Sequence, residues 1–476
     1  MSRALLARCA RAAATGAALL LLGGCESILP PGGQTAPPVL KLPQNTGAPQ
    51  PVAVDWWNSF KDPVLSALVA EALQHNTDLG RAVARIDESR ALLDLSHSFS
   101  LPSVTANFSG DRQRVTETGS FNQGALIRNN FRAALDMSYE LDLWGRLRKA
   151  DDAARAELLA ASSTRDTLIG LIAVQVVQGY ASLQSLDERR RLYGAAVDAE
   201  RESLVLQRLR VNAGEAGEVD LRQLEGQFLT NAAQLPRLDR ERGETERALA
   251  ILLGRSPRAV IEQAIAHAPL AATLQNLPAV PTDLPSDLLA HRPDVQAAEA
   301  RLAAAGARVD VARAAYFPRI GLTASLGRES ADLSRLFDGP SLIWSVLASA
   351  TQPIWAGGQL RAQSDVARAR ERIAELDYRD SVAAAFTDAR NALVARSESA
   401  ESLDLAQQRS VALVRAADLM RLRYNGGETS RFLLIEAERN ALTSQAVEAD
   451  ARRALVVAHA DVFRALGSGW EATPRP

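Results

Sequence analysis

The sequence predicts a mixed α+β membrane protein. Each chain lends four strands to a shared β-barrel, and a long α-helical barrel continues from the strand ends. Three observations predict it: the chain repeats itself, each repeat carries two short alternating segments, and each repeat carries a proline-free helical run of about 67 residues. The 476 residues are 47% hydrophobic and 23% charged, with a net charge of −2, so the average composition is that of an ordinary folded chain. Near-neutral charge excludes the basic excess of a nucleic-acid binder, and no nucleic-acid partner is expected. Both cysteines, Cys9 and Cys25, lie in the first 25 residues, which excludes a disulfide framework from a processed chain. No later window offers 18 uncharged apolar residues, so no spanning helix is expected. A barrel remains open, because its strands carry a far weaker signal.

The N-terminus reads as an address. Arg3, Arg8 and Arg11 precede the apolar run Ala12 to Leu22, the layout of a secretory leader. It ends in Leu21-Leu22-Gly23-Gly24-Cys25, which resembles a bacterial lipoprotein signal. That resemblance implies a signal peptide over 1–24, cleavage before Cys25, and covalent diacylglycerol and N-acyl lipid on Cys25, with no other cofactor. Several acyl chains anchor firmly where one is marginal. Glu26, in place of the aspartate of inner-membrane retention, points to the outer membrane. The alternative is an ordinary cleaved leader with an incidental cysteine. Residues 25–54 hold Pro30, Pro31, Pro37, Pro38, Pro43, Pro49 and Pro51, a density that builds neither helix nor central strand and reads as a tether.

The duplication fixes the organisation. Asn76-Thr77-Asp78-Leu79 aligns with Arg292-Pro293-Asp294-Val295, and Leu101-Pro102-Ser103-Val104 with Phe317-Pro318-Arg319-Ile320, both 216 residues on (76 to 292). An offset of 213 (208 to 421) then carries Arg208-Leu209-Arg210 onto Arg421-Leu422-Arg423, Asn212 onto Asn425, Gly214 onto Gly427, Glu225 onto Glu438, and Gly254 onto Gly467. The first repeat spans 55–254, a linker 255–286, the second repeat 287–467, and a tail 468–476.

Each repeat opens with a helix, expected over 64–98 and 287–315 from apolar residues such as Leu65, Leu68, Val69, Leu79 and Ile86 at helical spacing. Strands follow Pro102 and Pro318. Val104, Ala106 and Phe108 alternate, as do Phe131 to Leu141 against Arg132 to Asp142, Ile320 to Leu326, and Trp344 to Ala350. An apolar face opposite a charged one fits lipid outside and water inside, or equally a soluble strand lying on a core. Helix then resumes over Gly145 to Val211 and Gly358 to Tyr424, about 100 Å each at 1.5 Å per residue. Glycine-bearing turns lead into return helices expected over 218–253 and 431–466. The linker, with Pro257, Pro269, Pro278, Pro281 and Pro285, is expected to be a long loop wrapping the helical cylinder.

Four strands leave two open edges, which lipid does not tolerate. A homotrimer supplies twelve strands and closes the barrel in the bilayer. The charged, alanine-rich helices suit a hollow cylinder wetted on both faces. No HExxH, CxxC or phosphate-loop pattern is present, and His75, His97, His267, His291 and His459 fall in no metal-ligand spacing, so neither a metal nor an enzyme is expected.

Six pieces stand out in order along the chain: Leu22-Gly23-Gly24-Cys25, Asp55-Trp56-Trp57, Leu288-Leu289-Ala290-His291-Arg292-Pro293-Asp294-Val295, Ala315-Tyr316-Phe317-Pro318, Gln352-Pro353-Ile354-Trp355 and Arg423-Tyr424-Asn425-Gly426-Gly427. In these pieces, the first of them a lipobox, the sequence resembles the outer-membrane channel components of tripartite efflux systems, the outer membrane factor family, especially its lipoprotein (NodT-type) branch. The resemblance implies a trimeric twelve-stranded outer-membrane barrel on a long periplasmic α-helical tunnel. A periplasmic adaptor and an inner-membrane transporter of the RND class would open it for export, and conduction would be passive. Carried over, the periplasmic gate falls on Tyr424, Phe432, Glu436 and Arg421, with Glu436 where members commonly have aspartate. Arg421, Arg423 and Arg431 are expected to pair with Glu428 or a facing tip. The adaptor would meet the tips at Asn212, Gly214, Asn425, Gly427 and Glu428. The competing readings are a channel of an ABC-driven type I export system and a non-conducting periplasmic coiled-coil scaffold.

Overall fold

The computed structural model describes residues 55–114, 127–262, 265–275, 277 and 292–467. Cys25, where lipid is expected, the tether 25–54, His291 and the tail 468–476 lie outside the described residues. The described chain divides into two compact units. One holds Glu88–Leu158 and Ala300–Leu376, and the other holds the rest.

The first unit contains one antiparallel sheet in the order β1 (Ser103–Arg114), β2 (Ile127–Leu141), β3 (Arg319–Ser330) and β4 (Leu342–Thr351). Its register explains the alternation. Ala106 faces Leu135, Leu135 faces Leu326, and Leu326 faces Trp344; Val104, Met137, Ala324 and Val346 form the next row. These rows share one face, and no protein covers it: Phe108 is 66% and Trp344 73% exposed. A soluble strand would bury this face, so the core-packed alternative fails. The opposite face is polar. Arg132 donates to Ser325 Oγ at 3.0 Å and lies 3.7 Å from Asp136 and 3.9 Å from Glu329. β1 and β4 each pair on one side only. At Gly327 a Cβ would stand 2.5 Å from Ala133 O, so only glycine admits this approach of β3 to β2. Where the strands join helices the chain is aromatic. Trp144 stacks on Phe317 at 5.0 Å and donates to Pro318 O at 2.8 Å, and Phe99 and Trp355 are exposed. Such residues form the girdles of membrane barrels.

The helices are α1 (Pro63–His75), α2 (Thr77–Ser98), α3 (Arg146–Asn212), α4 (Glu218–Ala232), α5 (Gln234–Leu252), α6 (Pro257–Glu262), α7 (Leu270–Gln275), α8 (Pro293–Ala314), α9 (Gln359–Asn425) and α10 (Arg431–Ala465). α3 and α9 are each 67 residues long. Three expectations are corrected. The opening helix 64–98 is two helices, because Asn76 leaves helical geometry (ψ 128°), caps α2 through Oδ1, and donates Nδ2 to Leu252 O at 2.8 Å. The return helix 218–253 breaks at Ala233. Pro236 has no N–H to give and its ring crowds the carbonyl four residues back, so α4 stops at Ala232; the repeat-equivalent position is Ala449, and α10 runs unbroken. The linker is not all loop, since it carries α6 and α7.

The second unit has a core of Trp56, Phe60, Leu65, Val69, Ile172, Val176, Val177, Tyr180, Leu183, Leu249, Leu253 and Phe463. Trp56 stacks on Phe463 with centroids 5.0 Å apart. Asp62 caps α1 by accepting from Val64 and Leu65 N–H, and it also accepts from Tyr180 OH at 2.8 Å. Among the described residues α3 is long and apolar enough, by length and composition, to cross a membrane, yet half of that apolar window is buried inside the protein. Ile172 to Leu183 supply this core, so packing accounts for their apolarity. The linker docks beside the core. Ala268 N–H donates to Tyr180 OH at 3.0 Å, Ile265 N–H to Glu246 at 2.7 Å, and His267 bonds Asp187, which also takes Arg242 at 2.7 Å. Asp187's hydrogen bond holds the His267 imidazole above its ordinary pKa, against burial.

The repeats reuse the same fastening. Gly254 (φ 72°) and Gly467 (φ 75°) end the two return helices in left-handed geometry. Asn76 reaches Leu252 O in the first repeat, and Arg292, its aligned residue, reaches Ala465 O in the second.

Candidate functional site

The candidate site is the pair of tips where each 67-residue helix turns into its return helix. α3 ends in a left-handed glycine turn: Gly214 (φ 74°) donates to Val211 O at 3.0 Å and Glu215 to Arg210 O at 2.8 Å. α9 ends the same way. Gly427 (φ 74°) donates to Tyr424 O at 3.0 Å and Glu428 to Arg423 O at 2.9 Å. These paired bonds satisfy carbonyls that a helix end would otherwise leave open, and the φ explains the glycines. Ser430 caps α10. Asn212, Gly214, Asn425, Gly427 and Glu428 are all exposed, as a docking tip requires.

The second tip gathers the expected gate residues. Arg431 lays its guanidinium over the Tyr424 ring, 5.2 Å from the centroid, a cation–π contact worth about 0.5–1 kcal/mol at an exposed site. Phe432, 49% exposed, and Glu436 follow on α10 four residues apart, so both lie on one face. Arg423 lies 4.0 Å from Glu428, as expected. Arg421 does otherwise. It donates to Glu438 at 3.1 Å across its own hairpin and lies 3.8 Å from Asp418, because Glu438 stands opposite it where α10 runs back along α9. Arg208 repeats this bond with Glu225 at 2.9 Å, at the same 17-residue separation. The repeat alignment contained both residues of both pairs, so that shared spacing was the signal available to find this doubled clasp.

Sequence reading missed how the two hairpins meet. Leu204, Leu221 and Leu224 of the first hairpin pack with Ile435 of α10, flanked by Val211 and Phe228. Glu200 lies in the same region and accepts from Asn231 Nδ2 at 2.8 Å. Among the described residues no cluster of His, Cys, Asp or Glu is placed to hold a metal ion.

Comparison with known proteins agrees with this geometry. The family profile described as "Outer membrane efflux protein" matches residues 68–255 and 284–468, one stretch in each repeat. The outer membrane protein OprJ of Pseudomonas aeruginosa is 33% identical over 462 residues, 95% of this chain and 94% of OprJ. The toluene efflux pump outer membrane protein TtgF of Pseudomonas putida is 33% identical over 420 residues, 88% of this chain and 86% of TtgF. Among solved structures, the Campylobacter jejuni CmeC outer membrane channel superposes with a TM-score of 0.85 at 24% identity, covering 94% of this chain and 96% of CmeC.

Proposed function

This chain belongs to the outer membrane efflux protein family, and from that premise we propose that it is the exit duct of a tripartite efflux pump. Three copies close a twelve-stranded barrel, and small molecules pass through it without an energy source of its own. A periplasmic adaptor engages the hairpin tips, an inner-membrane transporter of the RND class drives transport, and lipid on Cys25 anchors each chain. The observation that carries this reading is the four-stranded sheet, which has one bare apolar face, one polar face and both outer strands paired on one side only. In a bilayer such edges must be satisfied by further strands, and the polar face then lines water. The same bare face argues against the coiled-coil scaffold. The toluene pump assignment of TtgF supports small, apolar cargo over protein export.

The gate follows from the second tip. Tyr424 and Arg421 tie the turn to α10, through Arg431 and Glu438 respectively. Replacing both (Tyr424→Ala with Arg421→Ala) is expected to raise single-channel conductance in a planar bilayer several-fold. The exposed ion pair contributes at most about 1 kcal/mol, so the fold should survive. Unchanged conductance in a correctly assembled variant would remove both residues from the gate.

A further inference from the structure

Glu200 stands out in the helical unit. Its Oε1 accepts from Asn231 at 2.8 Å, while its Oε2 is buried with no hydrogen-bond partner. A buried carboxylate oxygen left bare strongly disfavours the charged form. The groups facing it act in both directions. α4 offers the neutral Asn231, and α10 offers Glu438, a like charge already held by Arg421 of α9, and Arg431, whose guanidinium lies over Tyr424. Burial is the largest influence, Asn231 and Arg431 oppose it, Glu438 reinforces it, and together they push Glu200 up to about 7. The second repeat handles the same place without a titratable group. At the 213-residue offset (200 to 413), Leu413 replaces Glu200 and Ser444 replaces Asn231. An acid thus sits where the sister hairpin uses a leucine.

We propose that Glu200 is a proton-operated bolt between the two hairpins: protonated, it stays buried beside Asn231 and keeps the first hairpin on α10; ionised, it draws water in and lets them part. The neighbouring contact is small enough to be moved this way, since it consists of Leu204, Leu221, Leu224 and Ile435 with Val211 and Phe228 at its margin. The sign follows from linkage. With the hairpins packed, Glu200 holds its proton up to about pH 7; with them parted, it returns toward the ordinary carboxylate value of 4.5. The packed state therefore binds more protons across that window and is favoured as pH falls through it. Raising the pH from 4.5 toward 7 progressively removes that advantage, and above 7 nothing more is lost. Hairpin separation at the tip is the movement a helical gate needs, so the bolt would deepen the channel reading, on which its functional meaning rests.

The test reads packing rather than conduction, so it is decided even if the protein conducts nothing. Amide hydrogen exchange is measured on the purified full chain at about pH 5.5 and about pH 8, corrected for intrinsic exchange. In the wild-type chain, protection in 197–211 and 218–232 is expected to fall several-fold at the higher pH, while 172–183 in the main core stays unchanged. E200Q keeps the Asn231 contact without the charge and should hold the hairpins at both pH values. E200L, which borrows the residue of the second repeat, should do the same and guards against a folding defect peculiar to the glutamine variant. Equal wild-type protection at both pH values, or an undiminished pH response in E200Q and E200L, overturns the proposal.

Discussion

Replacing Arg292 with methionine is expected to cost about 3–5 kcal/mol of stability, the range for breaking a buried charge network by removing one partner. The side chain is only 5% exposed and joins three separate elements. It donates to Ala465 O at the end of α10 (2.9 Å), to Ala385 O within α9 (3.3 Å), and to Asp294 (2.6 Å) and Asp388 (3.3 Å). Methionine fills the volume but leaves two carbonyls without this donor and two carboxylates without their cation. Asp294 and Asp388 are 34% and 40% exposed, so water rescues part of their loss and the lower end of the range is expected. Arg292→Lys should recover only part of it, since an ammonium does not reproduce the planar fork. The shift in the denaturant midpoint of the purified protein measures both.

Gly254→Ala should cost about 3 kcal/mol or more, although it adds one methyl group. Gly254 has φ 72°, and its Cβ would lie 2.1 Å from His75 O and 2.5 Å from His75 C. Those are backbone atoms at the end of α1, so α1 and the return helix must separate for the methyl to fit. Gly214→Ala is the control. Its φ is 74°, but nothing lies within 4 Å of the added carbon, so only the left-handed backbone penalty of about 1 kcal/mol remains. A Gly254→Ala cost no larger than that of Gly214→Ala would show that the His75 approach is not tight.

The contrast between those glycines shows where the sequence was legible. The four strands could be read because alternation is a local signal, and the 67-residue helices because nothing local interrupts them. The break at Asn76 was harder, since its capping role depends on Leu252, 176 residues away. Pro236 is a local signal that marks the end of α4, whereas Ala449 at the aligned position lets α10 continue, so the second repeat carries no sign of this break. At the gate, the repeat motif located the turns, while Tyr424 came from the family resemblance, since the aligned residue of the first repeat is Val211. The motif did not reveal that Arg421 would choose Glu438, because ion pairing depends on which residue lies opposite once the hairpin closes. Glu200 was invisible for a stronger reason. On its own helix it is one charge among many, with Asp198, Arg201 and Glu202 close by, and its Oε2 is buried only by the packing of helices distant in sequence.

The most direct test of the central claim is the current carried by the purified full-length protein in a planar lipid bilayer. A trimeric duct predicts discrete conductance steps from folded protein, small at rest and enlarged when Tyr424 and Arg421 are replaced. Folded, bilayer-inserted protein that gives no steps, in either the wild-type or the variant form, would contradict it.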